Sequence, residues 1–180
     1  MTRDYSAFVP PKKGGGTISQ SSPLATLGWQ PFFASQISID EFVQTPPVRI
    51  VEVHRSALHV LGNGIDETIQ PLPNATVGDW VLLSRQRTGL SRVLERKSLL
   101  KRRAPGTDRQ VQLIAANIDT VFIVSSCNQD FNLARLERYI SIALNADITP
   151  VIVLTKADLV TGSRGYLAKA QAISDVVPVV

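Results

Sequence analysis

Apolar residues between Pro47 and Asn117 come in short bursts separated by turn-forming residues. Val48 to Arg55 and Ala57 to Leu61 are rich in β-branched and aliphatic side chains, and Asn63-Gly64 follows them as a hairpin turn signal. Gly78-Asp79-Trp80-Val81-Leu82-Leu83, Leu90 to Leu94 and Val111 to Ala115 continue the pattern, each bounded by Gly, Pro or a charged cluster. Five or six short strands within about 70 residues predict a small closed or partly open barrel, since closure removes exposed sheet edges. A barrel of the OB type has the right size, and the segment it occupies is 47–117.

The pattern changes after Asn117. Val121 to Val124 is a continuous apolar run, the mark of a strand buried on both faces of a parallel sheet. Asp130 is the expected cap of the next helix, in which Leu133, Leu136, Ile140 and Ala143/Leu144 recur at steps of three and four. Val151 to Leu154, entered through Pro150, is a second buried run. Residues 163–175 form a weaker helical stretch, and Val176 to Val180 begins another strand. The order is β-α-β-α-β, and such a unit needs further strands and helices to cover its sheet, so 118–180 reads as the first part of a truncated α/β domain.

Residues 1–23, with Pro10, Pro11, Pro23, Gly14 to Gly16 and several serines, show neither apolar period and read as a flexible tail. Lys12 and Lys13 precede their glycines, the reverse of a phosphate-binding loop, and no helix pattern follows. Residues 24–46 read as a linker with a short docking helix: Leu24, Leu27, Phe32 and Phe33 mark a weak amphipathic stretch interrupted by Pro31.

Composition narrows the class. Hydrophobic residues at 44% and charged residues at 19% are those of a folded globular chain. No apolar run approaches the ~18 residues that cross a bilayer, so no membrane partner is expected. A single cysteine, Cys127, excludes an internal disulfide and a cysteine-built zinc site, which fits a reducing cytoplasm. His54 and His59 have no neighbouring cysteine or third histidine and read as packing or surface residues, leaving no metal ligand set.

The charge is unevenly distributed. Of 19 Lys and Arg, nine lie between Arg85 and Arg109, against only Glu95 and Asp108, so the rest of the chain is net negative although the whole carries +4. A concentration of this kind reads either as a footprint for a polyanion, whose counterions it displaces, or as a solvated basic face. Arg96, Lys97, Lys101, Arg102 and Arg103 are the candidate RNA contacts.

One short motif carries chemistry. Thr155-Lys156-Ala157-Asp158 follows the second buried strand, and ligands of α/β sheets lie at the carboxyl ends of their strands. The motif resembles the guanine-specificity element Asn/Thr-Lys-x-Asp of P-loop GTPases. A carboxylate at Asp158 can accept from the guanine N1–H and the exocyclic amine together, which adenine cannot reproduce. Lys156 can lay its aliphatic stem along the purine plane with its ammonium in water. Thr155 stands where Asn is commoner. A surface lysine and an N-capping aspartate explain the same four residues without a ligand. No Gly-x-x-x-x-Gly-Lys-Ser/Thr occurs before the motif or anywhere else, so either the match is accidental or the motif order is permuted.

The stretch from Gln110 to Leu159, including Asn128-Gln129-Asp130-Phe131-Asn132-Leu133, Arg135-Leu136-Glu137-Arg138-Tyr139 and Val153-Leu154-Thr155-Lys156-Ala157-Asp158-Leu159, closely resembles the circularly permuted ribosome-assembly GTPases of the RsgA (YjeQ) family. His54-Arg55-Ser56 and Val77-Gly78-Asp79-Trp80-Val81 resemble the same family's barrel. The resemblance implies an N-terminal OB-fold that contacts the small (30S) ribosomal subunit and its rRNA, then a P-loop-GTPase-type α/β domain whose guanine element precedes its phosphate loop. It implies GTP as ligand, with Mg in the intact family, and a zinc-binding segment in a C-terminal part beyond this chain. A chain without a phosphate loop is expected to have no catalytic residues and no hydrolase activity of its own. A stand-alone OB-fold RNA-binding module without GTPase activity is the alternative, and a nonfunctional, poorly soluble truncated product is a third.

Overall fold

The structure, a computed structural model, describes residues 22–85, 91–103 and 111–180. The expected tail at 1–23 and the strand residue Leu90 fall wholly or partly outside them, although Pro23 already belongs to the first helix.

Five strands form one antiparallel sheet: β1 (Pro47–Val53), β2 (Leu58–Gly62), β3 (Ile65–Ile69), β4 (Trp80–Leu82) and β5 (Arg92–Val93), in the order β3-β2-β1-β4-β5. A separate hairpin pairs β6 (Leu99–Arg103) with β7 (Val111–Ala116). Period-two alternation places Val48 and Ile50 of β1 inward, where they meet Val60, Val81 and Leu83 in a closed apolar core. A register shift between Ile50 and Glu52 bends β1 over that core.

Strand β4 is buried on both sides. Val81 enters the sheet's core, while Trp80 and Leu82 turn outward and are covered by Leu24 and Phe33. Those two residues come from α1 (Pro23–Thr26) and α2 (Pro31–Ala34), so the segment read as a linker is a packed cap on the sheet. Pro31, expected to interrupt a helix, instead starts one: its missing N–H falls at a first-turn position that has no intrahelical partner. A third helix, α3 (Ile39–Gln44), is opened by a capping box between Ser38 and Glu41.

Beyond Asn117 the chain forms β8 (Thr120–Ser126), α4 (Leu133–Leu144), β9 (Thr149–Thr155), one 3-10 turn (Ala157–Leu159) and α5 (Ser163–Gln171). Strands β8 and β9 are parallel and in continuous register from Thr120/Thr149 to Ser126/Thr155. Helix α4 is capped by Asn132, whose side chain accepts from the Arg135 N–H at 3.0 Å. Asp130, the cap expected from sequence, instead donates its backbone N–H to the Asn128 side chain in a turn two residues earlier. Leu136, Ile140 and Ala143 form the buried stripe of α4, and Leu136 and Ile140 pack with Ile123, Ile152 and Ala170. The last residues run beside β9 on the side away from β8: Val180 N–H bonds Ile152 O at 3.0 Å, and Leu154 N–H bonds Val180 O at 2.8 Å.

Candidate functional site

Because β8 and β9 are parallel and in register, their carboxyl ends lie side by side. Ser126 pairs with Thr155, and Cys127 N–H donates to Thr155 O at 2.9 Å. The hydroxyls of Ser126 and Thr155 are 3.4 Å apart, so Thr155 has a hydrogen-bonding neighbour within the sheet end itself. The chain then reverses at Lys156, which has φ 59°, a left-handed conformation costing a side-chain-bearing residue roughly 1–2 kcal/mol. Leu159 N–H closes the turn on Lys156 O at 3.2 Å.

This reversal lifts Lys156, Ala157 and Asp158 out of the sheet, and all three are exposed. Among the described residues no side chain or backbone group bonds the Asp158 carboxylate, which does not cap a helix. The neighbouring loop after β8 contributes Asn128, and its base is held by Phe131, which meets Tyr166 of α5 edge-on at 5.1 Å between ring centroids. Ser126 and Asn128 therefore join Thr155, Lys156 and Asp158 at one strand-end edge. Their sequence positions, nearly thirty residues earlier, signal this only once the parallel register is known.

The five basic candidates are treated unequally by the fold. Arg96 grips Asp79 with two bonds, Nε to Oδ1 at 2.7 Å and Nη2 to Oδ2 at 2.8 Å, and Asp79 is 0% exposed. Asp79 also accepts the Thr76 N–H at 2.8 Å. The hydrogen bond to Asp79 raises the Arg96 pKa further, so Arg96 is a half-buried cation held on a buried carboxylate. Lys97 reaches Asp119 at 2.9 Å. Arg85 and Arg92, from the same basic segment, face Glu67 and Glu41.

Lys101 and Arg102 differ. Both are exposed on β6, and among the described residues neither has a carboxylate partner; Arg102 Nε donates to Gln112 Oε1 at 3.0 Å. Arg103 ends the same strand, and its side chain lies outside the described residues. Among the described side chains of the basic segment 85–109, the cations without a carboxylate partner are thus Lys101 and Arg102 of β6. A groove of about 830 Å³ separates this hairpin from β8 and α4, lined by Leu100, Ile114, Phe122, Val124 and Tyr139, with Lys101, Arg102 and Arg138 also at its walls. No described helix is long and apolar enough to cross a membrane.

Comparison with known proteins places the chain among relatives. The family model described as RsgA GTPase matches residues 93–179, which include the basic hairpin, both parallel strands and the Thr155 to Asp158 turn. The chain is 48% identical over 146 residues to the small ribosomal subunit biogenesis GTPase RsgA 2 of Vibrio parahaemolyticus, covering 79% of this chain and 40% of that protein. It is 44% identical over 169 residues to the small ribosomal subunit biogenesis GTPase RsgA of Mesorhizobium japonicum, covering 91% and 48%. The chain therefore spans about half the length of the curated relatives it matches. The crystal structure of YjeQ from Thermotoga maritima shares the fold, with TM-score 0.54 at 21% identity over 74% of this chain and 50% of that one. Sequence likeness at this level, over both the β-rich and the α/β parts, means that the chain belongs to the RsgA GTPase family.

Proposed function

We propose that this chain is the guanine-reading and RNA-docking part of a small-subunit biogenesis GTPase. In this reading the five-stranded sheet and its hairpin, residues 47–117, are an OB-type barrel that lies against rRNA. Residues 118–180 are the opening part of a circularly permuted GTPase domain. The observation that carries the reading is the Asp158 carboxylate, exposed and without a bonding partner among the described residues, beyond a left-handed residue at the carboxyl end of a buried parallel strand.

Asp158 accepts the two guanine donors, Lys156 covers the purine plane, and Thr155 steadies the turn through Ser126. These residues fit the base end of GTP. Phosphate binding and the placement of Mg require clustered backbone amides with a lysine and a Ser/Thr hydroxyl, and the 180 residues hold no such loop. The chain alone accordingly binds GTP weakly through its base and does not hydrolyse it. Zinc, if the whole protein holds it, belongs to segments other than this one, and the cytoplasm is the compartment expected for work on ribosomal subunits.

On the RNA side, Lys101 and Arg102, with Arg103 beside them, supply sequence-independent phosphate contacts. Arg96 and Lys97 act indirectly, by holding the barrel and its junction in shape.

The test is Asp158→Asn in a protein that includes the remaining half of the relatives' length. Replacing an acceptor by a donor loses charge-assisted bonds worth roughly 1.5–3 kcal/mol, so guanine affinity falls by about 10- to 100-fold. Xanthine nucleotide, which offers a carbonyl where guanine has its amine, gains relative to guanine. Unchanged discrimination rejects the base-reading role. If RNA binding survives while no guanine preference exists at all, the stand-alone RNA module is the better description. For the RNA face, reversing Lys101 and Arg102 to Glu lowers affinity for small subunits and flattens its salt dependence, by about 0.7–0.9 log units for each phosphate that is no longer neutralised. An unaltered salt slope removes the hairpin as the RNA-binding surface.

A further inference from the structure

Among the described residues, no apolar core is shared between the two halves of the molecule. The barrel cluster, the cluster under α1 and α2 and the α/β cluster each draw their buried side chains from one side of Asn117 only. Units without a large hydrophobic interface are expected to move relative to one another. Here the connection from β7 to β8 is only Asn117, Ile118 and Asp119, and nearly every polar group in it is taken up.

Asn117 is the centre of that arrangement. Its Nδ2 donates to Gly78 O at 3.0 Å, its Oδ1 accepts the Lys97 N–H at 2.8 Å, and its own N–H bonds Ser98 O at 2.9 Å. Its carbonyl accepts Arg49 Nη2 at 3.1 Å, while Nη1 of the same guanidinium bonds Leu27 O. The Ser98 hydroxyl donates to Ile118 O at 2.7 Å and accepts from Ile118 N–H at 2.8 Å. Asp119 then receives Lys97 through its side chain, and its carbonyl accepts the Thr149 N–H at 3.0 Å, which ties the junction to the start of β9. Asn117 itself holds φ 56°, so the bonds are made in a backbone conformation that ordinary side chains avoid.

We infer that Asn117 is a positioning residue that fixes the angle between the barrel and the α/β half. Its side chain bonds the β4 entry turn and the approach to β6 at once, so the first parallel strand leaves the barrel in one direction. Removing the side chain leaves each apolar core untouched and frees the angle. With the direction of β8 fixed, the strand-end edge carrying Asp158 is held at a set position relative to Lys101 and Arg102. This consequence rests on the function proposed above; the fixed angle does not.

The experiment is a distance measurement between spin labels on this chain, at Asp66→Cys in β3 and Lys169→Cys in α5, in a Cys127→Ser background. Asn117→Gly keeps access to the left-handed conformation while deleting the side-chain bonds. The expected result is one narrow distribution with Asn117 and a roughly twofold broader one in Asn117→Gly, as for units joined without an apolar interface. Asn74→Gly, also at a left-handed residue but within the barrel, leaves the distribution narrow. Hydrogen exchange in both halves reports that each core persists, and Asn117→Asp, which keeps the acceptor for Lys97 N–H but has no donor for Gly78 O, gives intermediate breadth. A narrow, unshifted distribution in Asn117→Gly overturns the inference. Absence of guanine or RNA binding counts against the proposed function and leaves the distance result intact, so the two failures are separable.

Discussion

The β-rich half and the α/β half are built from similar apolar strands, yet the strands are covered differently. In the β-rich half, β4 has Val81 in the sheet core and Trp80 under the N-terminal helices, each 0% exposed. In the α/β half, Ile123 of β8 is buried beneath α4, whereas Phe122 and Val124 on the opposite face are 67% and 62% exposed. Both α4 and α5 belong to the cluster on the covered face. The burial that an apolar strand reaches therefore depends on what packs against each of its two faces: both faces of β4 are covered, and one face of β8 is.

The sharpest way to break this contrast is to attack the Arg96–Asp79 ion pair of the β-rich half. Arg96→Met leaves the Asp79 carboxylate buried without its cation, at a cost of about 3–5 kcal/mol. Both tryptophans, Trp29 and Trp80, lie on the barrel side, so urea unfolding followed by their fluorescence should move to much lower denaturant. A loss under about 1 kcal/mol would show that solvent already relieves the pair. Next in size is Leu136→Ala beneath β8, expected to cost about 2–4 kcal/mol. Hydrogen exchange should rise in β8, β9 and α4 while the barrel's protection holds; loss in both halves would mean that they share one cooperative unit.

A smaller effect is expected from Phe122→Gln. It removes apolar surface already in water, so stability changes little and self-association, followed by light scattering, declines. Smallest is the capping box of α3. A backbone bond from Ser38 and the Arg92 guanidinium hold the Glu41 carboxyl below the ordinary carboxylate range. Since the folded value is the lower one, this contribution is present above the unfolded pKa and is lost as pH falls through the folded one. Glu41→Gln should flatten that acid-side loss while leaving neutral-pH unfolding nearly unchanged, which pH-dependent melting curves can test.

Much of this architecture was legible because burial imposes period. The β-branched and aliphatic content of β1 and the continuous runs in β8 and β9 located those strands to within a few residues. Two strands left weaker marks. In β3, Ile65-Asp66-Glu67-Thr68-Ile69, apolar residues stand only at the ends, and β6, Leu99-Leu100-Lys101-Arg102-Arg103, reads first as charge because its hairpin is exposed. The site divides in the same manner. The position of Thr155, Lys156 and Asp158 at the exit of β9 was legible because an apolar run directly precedes them. The attachment of Arg96 to Asp79 spans 17 residues and follows no local spacing, so its charge could not be told in advance from that of Arg102. Asn117 carried no signal at all, since its role is set by partners on three separate segments.

Gly78 adds a last consequence. It has φ +88°, and a Cβ there would stand 2.0 Å from Ala116 O, at the very end of β7. Its carbonyl is also the one that receives the Asn117 amide. The smallest possible enlargement, a single methyl group, would drive the last residue of β7 away from the turn and carry the root of β8 with it. Position 78 thus works as a mechanical tolerance: the close approach of the β4 entry turn to the end of β7 leaves no room for a side chain.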